Sequence, residues 1–289
     1  MTASGVTVAP TVPPSTVISP RRGWLDWRLR ELWHYRDLVL LFVWRDFVAV
    51  YKQTVLGPAW HVLRPLLTTL TFTIVFGRIA RLPTDGAPPF AFYLTGQVLW
   101  SYFAACLDQI SRVFVSNADL MGKVYFHRLT IPISIVLSNL ISFGIQFVLL
   151  LLVIVTYRLE GVPVGGGSWV LLLPVLLAVV GGYALAGGIL VCALTTRYRD
   201  LIHLMTFGVQ LLMFATPVIY PVSSLPATYR WVAYVNPLAP LFEGFRHAVL
   251  GVGSVSLPHV AISAAGMVTL IFIALALFTR VERTFMDTV

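Results

Sequence analysis

The sequence predicts an all-α integral membrane protein: six transmembrane helices, an N-terminal interfacial helix and a re-entrant outer hairpin between spans five and six. Three observations lead there. Residues 86–107, 129–157, 161–196, 204–229 and 260–279 hold no Asp, Glu, Lys, Arg or His. About 20 apolar residues suffice to cross a hydrocarbon core roughly 30 Å thick. Charged residues make up 11% of the chain, against roughly 25% in soluble domains. The cations, finally, are unevenly shared among the loops.

Spans are expected near 58–79, 90–111, 131–157, 169–194, 203–221 and 259–279. The first is interrupted early by His61 and Arg64, and Arg64 lies near enough to the interface to snorkel. Eight Lys and Arg precede or include Arg64, three lie in 112–128, two in 197–199 and two at the C-terminus. The other side holds only Arg78, Arg81, Arg158, Arg230 and Arg246. The positive-inside rule then puts both termini in the cytoplasm. The net charge of +8 reflects this asymmetry rather than a nucleic-acid surface, because the basic residues are spread over several loops.

Residues 1–20 lack the basic start and apolar core of a cleavable signal peptide and read as a disordered tail. Residues 21–57 have another character. Leu25, Leu29, Leu32 and Trp33 recur at helical spacing among charged residues, with Trp24 and Trp27 adding rings that favour the headgroup zone. The alternative is a soluble helix packed on a partner. Leu38–Tyr51 is apolar but broken by Arg45 and Asp46 and is too short to span. Leu56, Gly57 and Pro58 then turn the chain into the first span of the transmembrane domain, 58–289.

Three further segments stand out. In SNADLMGKVYFHRLTIP, Ser116 or Asn117 can cap a helix whose first turn holds Asp119. Leu120, Met121, Val124 and Tyr125 share one face of it, which needs either the lipid surface or a cytoplasmic partner to cover it. The 36 residues 222–257 are too long and too aromatic for a simple connection. Two half-length helices near 225–235 and 239–250 fit, separated by Asn236-Pro237, as a re-entrant hairpin or as helices resting on the outer headgroups. Glu243 and Arg246, three apart, can pair across one turn. The fourth span carries GGYALAGG at 181–188, small-residue spacing that suits close helix packing or a sliding contact.

Several chemistries have no residues to carry them. Gly122-Lys123 lacks the upstream Gly and the following Ser or Thr of a phosphate-binding loop. Asp108 is the one acid expected inside the spans, too few for an acid–base pair or a proton relay. Cys106 and Cys192 have no metal-ligand spacing and read as small apolar side chains. No cofactor or metal is expected.

The block LWHYRDLVLLFVWRDFVAVYKQTVLGPAWHVLRPL resembles the opening segment of ABC-transporter permeases that export lipid-linked polysaccharides. The matching residues are Tyr35-Arg36, Arg45-Asp46, Tyr51, Leu56-Gly57, Trp60 and Pro65. NADLMGKVYFHRLTIP is similar to the helix by which such permeases engage their ATPase, with Phe126-His127-Arg128 where the family has Phe-Pro-Arg. ATPVIYPVSSLP followed by VNPLAPLFEGFRHAVLG resembles the family's fifth span and outer gate. The resemblance covers about 31 to 287 and fits O-antigen and teichoic-acid exporters best.

That resemblance implies a bacterial inner-membrane homodimer that encloses a channel, with two ATPase subunits docked below and a glycan on undecaprenyl diphosphate as substrate. It implies that Asp119, Leu120, Met121, Lys123, Val124, Tyr125, Phe126 and Arg128 couple to the ATPase. Arg36, Arg45 and Lys52 would receive the diphosphate or ordinary anionic lipid. Phe72, Phe76, Phe207, Phe214 and Tyr220 would line the channel, where flat rings let sugars slide. Trp231, Tyr234, Asn236, Pro237, Phe242 and Arg246 would form the outer gate. The chain would be no enzyme, ATP being hydrolysed on a separate chain. A permease for a drug or small lipid, and a membrane-embedded enzyme of glycan assembly, are the competing readings.

Overall fold

The computed structural model describes residues 29–51, 56–117, 126–195, 200–253 and 255–286. The tail expected over 1–20 lies outside them, as do Trp24 and Trp27. The described residues form helices and turns, with no strand among them.

Two helices precede the first span: α1 (Leu29–His34) and α2 (Arg36–Tyr51). α2 buries Val39 and Phe42 while Leu40, Leu41 and Trp44 stay exposed. An apolar helix with an apolar free face suits a lipid interface. α3 (Trp60–Phe72) carries Pro65 inside it and widens into a π-type turn over Thr73–Ile79. There the Ala80 N–H reaches back five residues to the Val75 carbonyl at 2.8 Å.

Next come α4 (Pro89–Ser111), the short α5 (Val113–Ser116), α6 (Thr130–Leu159) and α7 (Leu173–Thr195), the last led in by a tight turn over Gly167–Leu172. α8 (Leu201–Ala215), α9 (Arg230–Val235), α10 (Ala239–Leu250) and α11 (Leu257–Met286) follow. α4 opens on Pro88-Pro89, where a proline in the first turn loses no hydrogen bond.

Among the described residues, five helical stretches are long and apolar enough to cross a membrane: Trp60–Ile79, Pro89–Ser111, Thr130–Leu159, Gly167–Thr195 and Leu257–Thr279. They fall within a few residues of five of the expected spans. The fifth expected span, 203–221, is helical only as far as Ala215. Thr216 is extended (φ −102°, ψ 141°) because the ring of Pro217 disfavours the helical conformation for the residue before it.

α4 is the centre of the molecule. Its apolar window is 78% buried, against 11% for the first and the last of the five stretches. α7 lies against it through glycines: a Cβ on Gly188 would meet Ile110 Cβ at 2.6 Å, and one on Gly181 would meet the Tyr102 hydroxyl at 2.5 Å. The small residues of 181–188 thus set a close helix contact, as their spacing suggested. Ser116 and Asn117 differ from expectation. Ser116 Oγ donates back to the Arg112 carbonyl (2.8 Å) and Asn117 Nδ2 to that of Val113 (3.1 Å). Asn117 therefore closes α5, and its side chain is turned towards the helix behind it.

Candidate functional site

The segment after α8 leaves backbone polar groups that no helix satisfies, and the hairpin of α9 and α10 supplies partners for them. Asn236 Nδ2 donates to the Ala215 carbonyl (3.0 Å) and to Thr216 Oγ1 (2.9 Å). Asn236 Oδ1 accepts from the Leu238 N–H at 3.0 Å, fixing the turn at Pro237. The Pro237 carbonyl in turn accepts from Ser263 Oγ of α11 at 2.5 Å.

Arg246 does the rest. It is 1% exposed. Its Nη1 meets Glu243 Oε1 at 2.8 Å, and its Nη2 donates to the carbonyls of Pro217 (2.6 Å) and Val218 (3.3 Å). Its guanidinium lies 4.0 Å from the centre of the Phe92 ring on α4. Glu243 Oε1 also accepts from the Val222 N–H at 3.1 Å. Arg246 Nε and Glu243 Oε2 have no hydrogen-bond partner in the structure. Gly96 of α4 permits this approach, because a Cβ there would collide with the Val218 carbonyl. The result is a knot that ties the broken end of α8 to α4, α10 and α11. Non-helical backbone among apolar helices persists only when satisfied in this way.

The expected gate residues therefore divide. Asn236, Pro237 and Arg246 form the knot, and Phe242 is buried against Trp100, ring centres 6.2 Å apart. Trp231 is exposed on α9, which also includes Tyr234. Glu243, absent from the expected gate, is as central as Arg246. The three-residue spacing gave their pairing, but the carbonyls they hold lie more than 20 residues back and leave no local sign.

Of the expected cations, Arg36 lies 3.7 Å from Asp37 and Arg45 2.7 Å from Asp46, with Arg45 also 4.7 Å from the Phe42 ring centre. Lys52 and residues 118–125, which include Asp119, Leu120, Met121, Lys123, Val124 and Tyr125, lie outside the described residues. Phe126 and Arg128 are buried, and Phe126 stands edge-on to Phe42 of α2 at 5.9 Å. Asp108 pairs with Arg112 at 2.7 Å, and Arg112 also donates to Thr206 of α8 at 2.8 Å.

The expected lining rings also divide. Phe72 packs on Phe76 and on Tyr93 of α4. Tyr220 is half-buried, its hydroxyl donating to the Phe214 carbonyl at 3.0 Å. Phe207 and Phe214 are each 57% exposed, on one stripe with the exposed Leu204 and Leu211. α8 buries none of its residues in the protomer.

Helices able to cross a membrane, a helix break sealed by a buried ion pair and a bare apolar helix describe a membrane-embedded protein. The sequence pattern of the ABC-2 type transporter family matches residues 37–250, and the chain belongs to that family. It is similar to the O-antigen export system permease protein RfbA of Klebsiella pneumoniae, 25% identical over 87% of this chain and 94% of that protein. A protein of the same name from Myxococcus xanthus is 28% identical over 75% of this chain and 82% of its own length. The inner membrane transport permease YadH of Escherichia coli K12 is 22% identical over 73% and 81% respectively.

Proposed function

We propose that this chain is the channel-forming membrane subunit of an ATP-driven exporter. Its cargo is polysaccharide of the O-antigen kind on undecaprenyl diphosphate, carried across the bacterial inner membrane. The observation that carries the reading is the reach of the similarity, which extends over 94% of a protein whose name is O-antigen export permease.

Two copies pair about a two-fold axis, and α8 faces the channel between them. The exposed rings of Phe207 and Phe214 support that choice, since sugars glide over aromatic faces without being fixed. Phe72, Phe76 and Tyr220 complete the lining. α8 together with the buried chain 216–219 makes the sixth crossing, and 222–250 forms the re-entrant outer gate. Residues 1–20 form a tail, 21–57 lie along the cytoplasmic interface, and both termini are cytoplasmic. Arg36, Arg45 and Lys52 receive the diphosphate.

Two ATPase subunits dock on 117–128. In the test, Tyr125→Asp is expressed in the native host. A carboxylate buried in the docking contact would cost several kcal/mol. The variant should therefore remain in the membrane, purify without the ATPase and leave the cell surface without its glycan. A normal complex together with normal surface glycan would overturn the coupling and the export reading.

A further inference from the structure

A second polar region lies among apolar helices, and nothing above uses it. A cleft of about 540 Å³ opens between α3, α4 and α6, lined by Arg64, Gln97, Ser101, Gln109, Asn139 and Gln146 among others. Gln97, Ser101 and Gln109 repeat at multiples of four along α4, and Asn139 and Gln146 lie two turns apart on α6. Each helix thus turns an amide face to the same space. Amides in membrane spans commonly hydrogen-bond across helix contacts, as Asn139 and Gln109 do, but here several line a shared open space.

The hydrogen bonding within the cleft is incomplete. Asn139 Nδ2 donates to Gln109 Oε1 at 3.0 Å and closes the end near the start of α3. Gln97 Nε2 donates to Ser101 Oγ at 3.1 Å, yet Gln97 Oε1 accepts nothing. Gln146 is 7% exposed, and its Oε1 has no donor. Buried acceptors without donors are rare in folded proteins and call for an explanation. From the Asn139–Gln109 level the amides climb about 18 Å along α4 at 1.5 Å per residue. No carboxylate is among the lining residues, and Arg64, exposed on α3, forms no ion pair among the described residues.

We propose that this cleft binds the headgroup of a lipid that carries a phosphate and several hydroxyls, one in each protomer. Arg64 takes the phosphate, and hydroxyl groups donate to Gln97 Oε1 and Gln146 Oε1. Two lipids have this chemistry: a sugar on a polyprenyl diphosphate, and phosphatidylglycerol. Only the first rests on the proposed export function. The length of the amide ladder favours it, because a single glycerol is far shorter than the roughly 18 Å from Gln109 to Gln97.

The full-length protein in nanodiscs, read by native mass spectrometry, tests this. The probes are an undecaprenyl diphosphate bearing one N-acetylglucosamine, the same lipid without the sugar, and phosphatidylglycerol against phosphatidylcholine. Wild type should retain a hydroxylated phosphate lipid about tenfold better than the Gln97→Leu, Gln146→Leu double variant. Arg64→Gln should weaken all phosphate lipids. The double leucine variant should melt close to wild type, so that lost binding is not lost folding. Preference for the sugar lipid assigns the cleft to the exported substrate. Preference for phosphatidylglycerol assigns it to a membrane lipid and leaves the export reading untouched. Equal retention of both by wild type and both variants would overturn the site.

Discussion

The knot at the end of α8 and the cleft between α3, α4 and α6 place polar groups among apolar helices in opposite ways. In the knot, Arg246 shares its guanidinium among Glu243, two backbone carbonyls and the Phe92 face. It is closed off from solvent, with its residue 1% exposed, although Arg246 Nε and Glu243 Oε2 make no hydrogen bond. In the cleft, Arg64 is exposed beside about 540 Å³ of space, and the buried amide oxygens of two lining residues have no donor. Buried polar groups are nearly always partnered, and each one that is not calls for an explanation. The knot thus serves architecture, whereas the cleft is proposed to serve recognition.

The largest effect should come from cutting the knot. Arg246→Ala strands Glu243 and the carbonyls of Pro217 and Val218, a loss of about 3–5 kcal/mol for a broken buried pair. Thermal melting of the purified protein should drop by many degrees. Removing both charges, as in Glu243→Leu with Arg246→Met, should lose less than Arg246→Ala alone. A melt unchanged by Arg246→Ala would erase the distinction between the two regions. Asn236→Ala should come next, costing about 1–3 kcal/mol, because the Ala215 carbonyl and Thr216 Oγ1 each lose a donor. Its melt should lie between those of Arg246→Ala and wild type. Gln146→Leu should matter least for stability, under about 1 kcal/mol in either direction, because it removes an amide oxygen that is already without a donor.

How legible each region was follows from the range of its interactions. The five long spans follow from hydropathy alone, because each must satisfy its own backbone in lipid. The early end of α8 was legible in principle, since Pro217 forbids helix at Thr216, but an uncharged run to Tyr229 concealed it. The Glu243–Arg246 pair is local and spacing gave it, while its hold on residues 217–222 is a tertiary contact. The cleft leaves no mark among the ionisable residues of the spans, because glutamine and asparagine carry no charge. Only the packing of three helices brings Gln97, Asn139 and Gln146 to one face. The π-type turn after Phe72 left no sign in the sequence.

Under the proposed export function, the knot seals the outer end while the cleft receives a lipid headgroup. The most direct test is the sidedness of that glycan in native-host cells depleted of this chain. Spheroplasts and inverted vesicles probed with a membrane-impermeant lectin or glycosidase would report it. The account predicts that glycan on polyprenyl diphosphate builds up on the cytoplasmic face, and that the wild-type chain restores it to the surface. Surface glycan at its normal level, with no cytoplasmic accumulation, would contradict it.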